Sequence, residues 1–202
     1  LAEYLLQSFK VADDTKILNQ LASESKIFFP IWGALQIILT LMRSLEPFLS
    51  LAGAEDLTSR SIAAEGLVEL HKIDSLTATE FMIRLLAVNS DIVHRTSLQA
   101  AYYIGKNART VFLKSATHRQ ASIQDITKWY LYILWRNDPA FCFSILDELL
   151  EQIDILSAVK SIAIVRLAVD FWATVFMNNC WRADVVKEIS RQINFLFVKK
   201  LH

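Results

Sequence analysis

The 202-residue chain reads as all-α, a right-handed, solenoid-like stack of antiparallel helix pairs, and three observations predict this. An Asp followed by a branched aliphatic residue recurs at Asp56-Leu57, Asp91-Ile92, Asp125-Ile126, Asp154-Ile155 and Asp184-Val185, at spacings of 35, 34, 29 and 30 residues. Two-helix repeat units have periods of this order, and Asp is a preferred helix N-cap because its carboxylate accepts a bond from an orphan backbone N–H. Four Gly and three Pro are too few to punctuate the many short strands of a sandwich or barrel. An apolar fraction of 53% and a mean hydropathy of +0.32 require several helices to be buried on most sides.

Taken in order, Leu1 to Lys10 reads as the end of a helix, and Asp13-Asp14 caps a second one carrying Ile17, Leu18 and Leu21. Pro30, tolerated in a first helical turn, opens an apolar helix that ends near Glu46-Pro47. These N-terminal helices form one region, 1–54, and helical repeats fill 55–202. Asp56 starts the first repeat, with Ala63, Ala64, Leu67, Val68 and Leu70 as an apolar face beside Arg60, Glu65 and Glu69. Its second helix has a capping box, Thr77-x-x-Glu80, before Phe81, Ile83, Leu85 and Leu86. The unit from Asp91 repeats the pattern: Arg95 matches Arg60, and Leu98, Ala101, Ile104 and Gly105 lie on the packing side, where small residues let helices approach closely. Ser122-x-x-Asp125 opens an aromatic helix ending at Trp135-Arg136, and Asp138-Pro139 supplies an N-cap with Pro at the first helical position. Asp154 leads a long helix through Trp172 and Phe176 that Asn178-Asn179 breaks. Asp184 then starts a terminal helix ending in Lys199-Lys200, where cations suit the dipole.

The run Asp91-Ile-Val-His-Arg95 through Ala100, Ala101, Ile104 and Gly105 resembles the HEAT-like repeats, whose second helix commonly begins with Asp and carries Arg or Lys four or five residues later. Asp56 to Arg60 is the second match, and Val159-Lys160 after Asp154 a looser third. Trp129, Ala158 and Glu188 stand four residues after the later Asp residues, where the family pattern has a cation. The resemblance covers about residues 55 to 200 and implies an extended surface that binds other proteins. At the start, Leu1-Ala-Glu-Tyr-Leu-Leu6 is similar to the stretch that closes the ATPase module of many NACHT-type STAND proteins. That likeness, with Leu rather than Met at position 1, implies an ATPase core upstream and a role for this piece in sensing a trigger or holding the ATPase inactive. No P-loop occurs within the chain itself.

Lys plus Arg equals Asp plus Glu at 21 each, so no global field draws in nucleic acid or an acidic membrane surface. The apolar stretch Ile27 to Met42 is interrupted by Pro30 and Gln36 and is short for a span. Cys142 and Cys180 lie far apart without metal-ligand spacing and read as buried free thiols in a reducing, cytoplasmic setting. His71, His94, His118 and His202 do not cluster. No nucleophile elbow, Gly-rich loop or paired Glu-x-x-His is present, so the expectation is a chain with no catalytic residue, no cofactor and no metal. The alternative is a HEAT-like nucleic-acid-binding or DNA-repair enzyme in which Asp170, Trp172, Trp181 and Arg182 form a groove; zero net charge fits phosphate binding poorly.

Charge is segregated locally. Between Asp91 and Asp125 there is no carboxylate, while Arg95, Lys106, Arg109, Lys114 and Arg119 accumulate with His94 and His118. From Asp138 through Asp154 the sign inverts, with Asp147, Glu148 and Glu151 and no cation before Lys160. Such blocks either pair with one another at low gain or face different partners. Trp129, Tyr130, Tyr132 and Trp135 cluster beside Arg136 and either pack in the core or, where exposed, form an interface hot spot. The expected function is a non-catalytic scaffold that binds another protein or another domain of its own chain. The candidate contact residues are Arg95, Lys106, Arg109, Lys114, Arg119, Trp129, Tyr132, Trp135 and Arg136.

Overall fold

A computed structural model describes residues 44–200, and these are helical throughout, with no strand among them. The helices expected before Ser44, the Leu1–Leu6 stretch and the apolar run Ile27 to Met42 lie outside the described residues. Nine α-helices and one 3-10 turn are described: α1 (Leu45–Ala52), α2 (Leu57–Ile73), α3 (Ser75–Leu86), α4 (Asp91–Ile104), the 3-10 turn Gly105–Ala108, α5 (Arg109–Ala116), α6 (Ala121–Trp135), α7 (Pro139–Glu151), α8 (Ala158–Asn179) and α9 (Ala183–Lys200). They form two compact units that divide between Ile104 and Gly105, inside the span that the sequence assigns to one set of repeats.

In the first unit α2 is central and packs on α1, α3 and α4, and α4 also meets α1. Phe48, Ile62, Leu67, Leu70, Met82, Leu85 and Leu98 are wholly buried, and Phe48 meets Phe81 at 5.7 Å between ring centroids. Each such side chain contributes about 1.5–3 kcal/mol through burial. Glu46-Pro47 lies in the first turn of α1 rather than at a helix end, where the missing Pro N–H costs nothing. Asp56 caps α2, accepting from the Ser59 N–H at 2.9 Å and the Ser59 hydroxyl at 2.6 Å. Arg60 folds back to donate to the carbonyls of Ala54 and Glu55, which fixes the turn before the helix. Asp74 ends α2 and caps α3, accepting from the Thr77 N–H at 3.1 Å. Thr77 is therefore inside α3, and the expected capping box gives way to Asp74, with Glu80 paired instead to Arg84.

In the second unit α6 packs on α5, α7 and α8, and α7 on α5, α8 and α9. Gly105 opens it at φ +69°, with nothing within 4 Å of the place a Cβ would take. It thus serves a left-handed helix end and not the close helix approach expected of it. Asp138 caps α7 through the Phe141 N–H at 3.1 Å, with Pro139 at the first helical position as read from the sequence. Two of the five recurrent Asp residues do not start helices. Asp125 is the fifth residue of α6, and Asp154 lies in the turn before α8, which begins after Ser157. Asp91 and Asp184 sit in first turns, where their charge suits the dipole.

Helices two apart in this unit run parallel. Arg166 reaches Asp125 at 3.2 Å and Lys128 reaches Asp170 at 3.1 Å, so going forward along α6 goes forward along α8, at offsets of 41 and 42 residues. The starts of α7 and α9, Pro139-Ala140 and Asp184-Val185, line one pocket, and farther along Arg191 meets Asp147 at 2.6 Å, an offset of 44.

Candidate functional site

The two charge blocks are partly consumed in holding the second unit together. Arg109 at the start of α5 donates from Nε to Glu148 at 2.7 Å and from its Nη atoms to the Ser144 hydroxyl at 2.8 Å and carbonyl at 2.9 Å. Lys106 meets Asp138 at 3.0 Å, and Arg191 takes Asp147 and Glu188. Lys106 and the Phe141 N–H together hold the Asp138 carboxyl below its ordinary range. Of the basic block in this unit, Lys114 and Arg119 point outward and make no ion pair among the described residues, whereas Arg95 is exposed on α4 in the first unit.

Helix α6 places the aromatic cluster on two sides. Tyr130 and Trp135 are buried, while Trp129 is 55% exposed and Tyr132 half-buried. Asp125, Trp129, Tyr132 and Arg136 fall at helical spacing along one outer stripe. Trp129 stands edge-on to Tyr130 at 4.9 Å, and Tyr132 stacks on Trp135 at 6.4 Å with an interplanar angle of 9°. The Arg136 guanidinium lies 5.2 Å from the Tyr132 ring centre, a cation over an aromatic face. Tyr132 is thereby held between a buried Trp and an exposed Arg, leaving the Trp129 side free to meet solvent. Trp135, counted among the contact residues from sequence, belongs to the core beneath this stripe, and its Nε1 has no hydrogen-bond partner among the described residues.

The alternative groove residues do not converge. Asp170 is engaged by Lys128, Trp172 is buried and donates to Gln192 at 2.7 Å, Trp181 is 78% exposed and Arg182 pairs with Asp184. His94, wholly buried, bonds the Val88 carbonyl through Nε2 while Nδ1 lies 3.5 Å from Asp91, an arrangement internal to the start of α4. Cys142 is buried against the Leu131 carbonyl, and burial pushes its thiol up to about 12. Cys180, expected to be buried, is exposed just beyond the end of α8. Among the described residues no group of three or more His, Cys, Asp or Glu gathers as a metal site, and no helix is long and apolar enough to cross a membrane. Comparison with protein-family models, with curated proteins and with solved structures gives no match to this chain.

What sequence reasoning missed is an apolar groove between α8 and α9, whose lining includes Val169, Ala173, Phe176, Val186, Ile193 and Phe197, with a volume of about 440 Å³. Its signal is visible in hindsight: Ile162, Val169 and Phe176 recur at heptad spacing along α8 and remain 69%, 47% and 45% exposed.

Proposed function

We propose that this chain is a non-catalytic, HEAT-like helical-repeat scaffold that binds another protein or another domain of its own chain. The observation that carries the reading is the parallel run of α6 with α8 and of α7 with α9, at offsets of 41 to 44 residues. Such repeats have a period of about 40–47 residues, and stacked two-helix units place equivalent helices side by side and parallel. The true structural offset is longer than the Asp spacing that first suggests a repeat, because Asp125 and Asp154 are not helix starts. Short links between consecutive packed helices favour antiparallel pairs, and the exposed faces of such repeats supply binding surface.

The contact surface in this reading is the α6 stripe of Trp129, Tyr132 and Arg136, with Lys114 and Arg119 as outlying cations. Exposed Trp, Tyr and Arg are the residue types that dominate binding energy at interfaces. A photo-crosslinking residue placed at Trp129 in the native source should join a discrete protein or a second domain of the full protein, and one at buried Trp135 should not. Equal labelling from both positions, or a nucleotide- or DNA-directed turnover that Asp170→Asn abolishes, would overturn the scaffold reading.

A further inference from the structure

The packing of α8 on α6 and α7 has an uncovered counterpart one unit farther along, in the groove between α8 and α9. The α6 to α8 offset of 41 residues sets Val169 and Phe176 of α8 where α6 has Lys128 and Trp135. Lys128 faces α8, bonding Asp170 at 3.1 Å, and Trp135 is 4% exposed. Val169 and Phe176 line the groove and are 47% and 45% exposed. On the other wall the α7 to α9 offset of 44 sets Ser190 and Ile193 where α7 has Leu146 and Leu149. Both leucines are wholly buried, whereas Ser190 is exposed and Ile193 half-buried. The groove thus repeats, without a cover, the seat that α8 fills one unit earlier.

The chemistry of the groove is that of a seam between repeats and not of a free end. No charged residue lines it. A unit that closes such an array turns a polar outer face to water, and a contiguous apolar strip marks an interaction site instead. We infer that the groove seats the first helix of a further repeat unit of the same polypeptide, running parallel to α8 and offering the groove an uncharged, apolar stripe. Helix α8 shows the chemistry of such a stripe: Leu167, Ala168 and Phe171 are buried, and Phe171 meets Phe143 of α7 at 6.3 Å between ring centroids. The absence of charge from the lining favours a helix of the same polypeptide. A separate protein or a second copy would find no charged group in the groove to steer it or fix its register, whereas a helix tethered by a short link is held there at high effective concentration. This rests on the scaffold reading and deepens it: the groove belongs to the array itself, and the α6 stripe is left as the surface for partners.

The test is the accessibility of position 190, read with a disulfide-exchange reagent on the variant Cys180→Ser, Ser190→Cys. The new thiol should react freely in the 202-residue chain and about tenfold or more slowly in the full-length polypeptide, where the next helix covers it. A photo-crosslinking side chain placed at Ser190 of the full-length polypeptide should join a peptide of the same molecule within about 45 residues after His202, the length of one repeat. Equal thiol rates in the two proteins, a crosslink to any other peptide or protein, or a full-length polypeptide that lacks those residues would overturn the inference. So would protection of the thiol that rises with the concentration of the 202-residue chain, since a second copy would then be the occupant. Failure here with Trp129 crosslinking intact removes this inference alone, whereas protection of position 190 without any Trp129 crosslink removes the partner-binding reading and leaves the array.

Discussion

The Trp172 indole N–H of α8 donates to the Gln192 side-chain oxygen of α9 at 2.7 Å, and the Gln192 amide in turn donates to the Phe143 carbonyl of α7 at 2.9 Å. Gln192 is wholly buried, and one side chain thus ties three helices together. Asp147 also accepts from the same amide at 2.9 Å.

Replacing Gln192 leaves a buried indole N–H without its partner, costing about 1–3 kcal/mol, and takes a second donor from the Phe143 carbonyl, which lies inside α7. Gln192→Ala and Gln192→Leu should both destabilise by about 2–4 kcal/mol in urea denaturation, the gain in apolarity notwithstanding. Gln192→Glu should be at least as harmful, since its second oxygen cannot donate to Phe143 and faces Asp147. A change below about 0.5 kcal/mol in Gln192→Leu would show that the three-helix tie contributes nothing.

The basic block divides into structural and free members. Arg109→Glu replaces three bonds to α7 by repulsion from Glu148 and should lower stability by about 1–2 kcal/mol, a figure already reduced for the partial exposure of the pair. Lys114→Glu and Arg119→Glu, on exposed positions, should change it by less than about 0.5 kcal/mol. Chemical denaturation of the three single variants checks the division, and equal effects would refute it.

The two thiols should differ in reactivity. Cys142 is buried and its thiol is pushed up to about 12, so it stays protonated and inaccessible at neutral pH, while Cys180 is exposed. A disulfide-exchange reagent should therefore titrate one thiol per chain under native conditions and two in denaturant. Protection of Cys180, traced by mass spectrometry, would contradict its placement.

Asp138 offers a pH signature. Its carboxyl is held below the ordinary 3.8 chiefly by the Lys106 hydrogen bond and then by the Phe141 N–H. A depressed folded-state value contributes stability that is present above the unfolded value and is lost as the pH falls through the folded one. Asp138→Asn keeps a capping oxygen but removes the charge, so it should cost under about 1 kcal/mol near neutral pH. That difference should shrink below pH about 4, the unfolded carboxyl value. A stability gap that is constant from neutral to strongly acid pH would exclude the charge as its cause.

Gly105 and Gly53 should respond unequally to Ala. At φ +69° Gly105 pays for any side chain in backbone strain, about 1 kcal/mol, although space is open around it. Gly53 has φ −85°, and its added methyl would meet the Leu49 carbonyl at an ordinary 3.4 Å, so Gly53→Ala should be within about 0.5 kcal/mol of neutral. Thermal melts of the two variants decide the matter.

The sequence by itself determined the all-helical class, the Asp56 and Asp138-Pro139 starts and the break at Asn178-Asn179, because caps and helical periodicity act within about four residues of the chain. It determined as well that Ala63, Ala64, Leu67, Leu98 and Ala101 would be buried. It misassigned Asp125 and Asp154, since an Asp before an aliphatic residue caps a helix only where the backbone happens to turn. Tertiary structure turned Asp125 into a partner of Arg166, 41 residues away. Tertiary structure alone also decided which side of α6 is covered, sending Trp135 inward and Trp129 outward on a helix apolar nearly all round. It alone set Arg109 against Glu148 and left Lys114 open, because ion pairs between distant helices depend on packing register and not on local order along the chain. The groove between α8 and α9 belongs to the same class: its apolar residues are legible in the sequence, but their exposure exists only once the helices around them have taken their places.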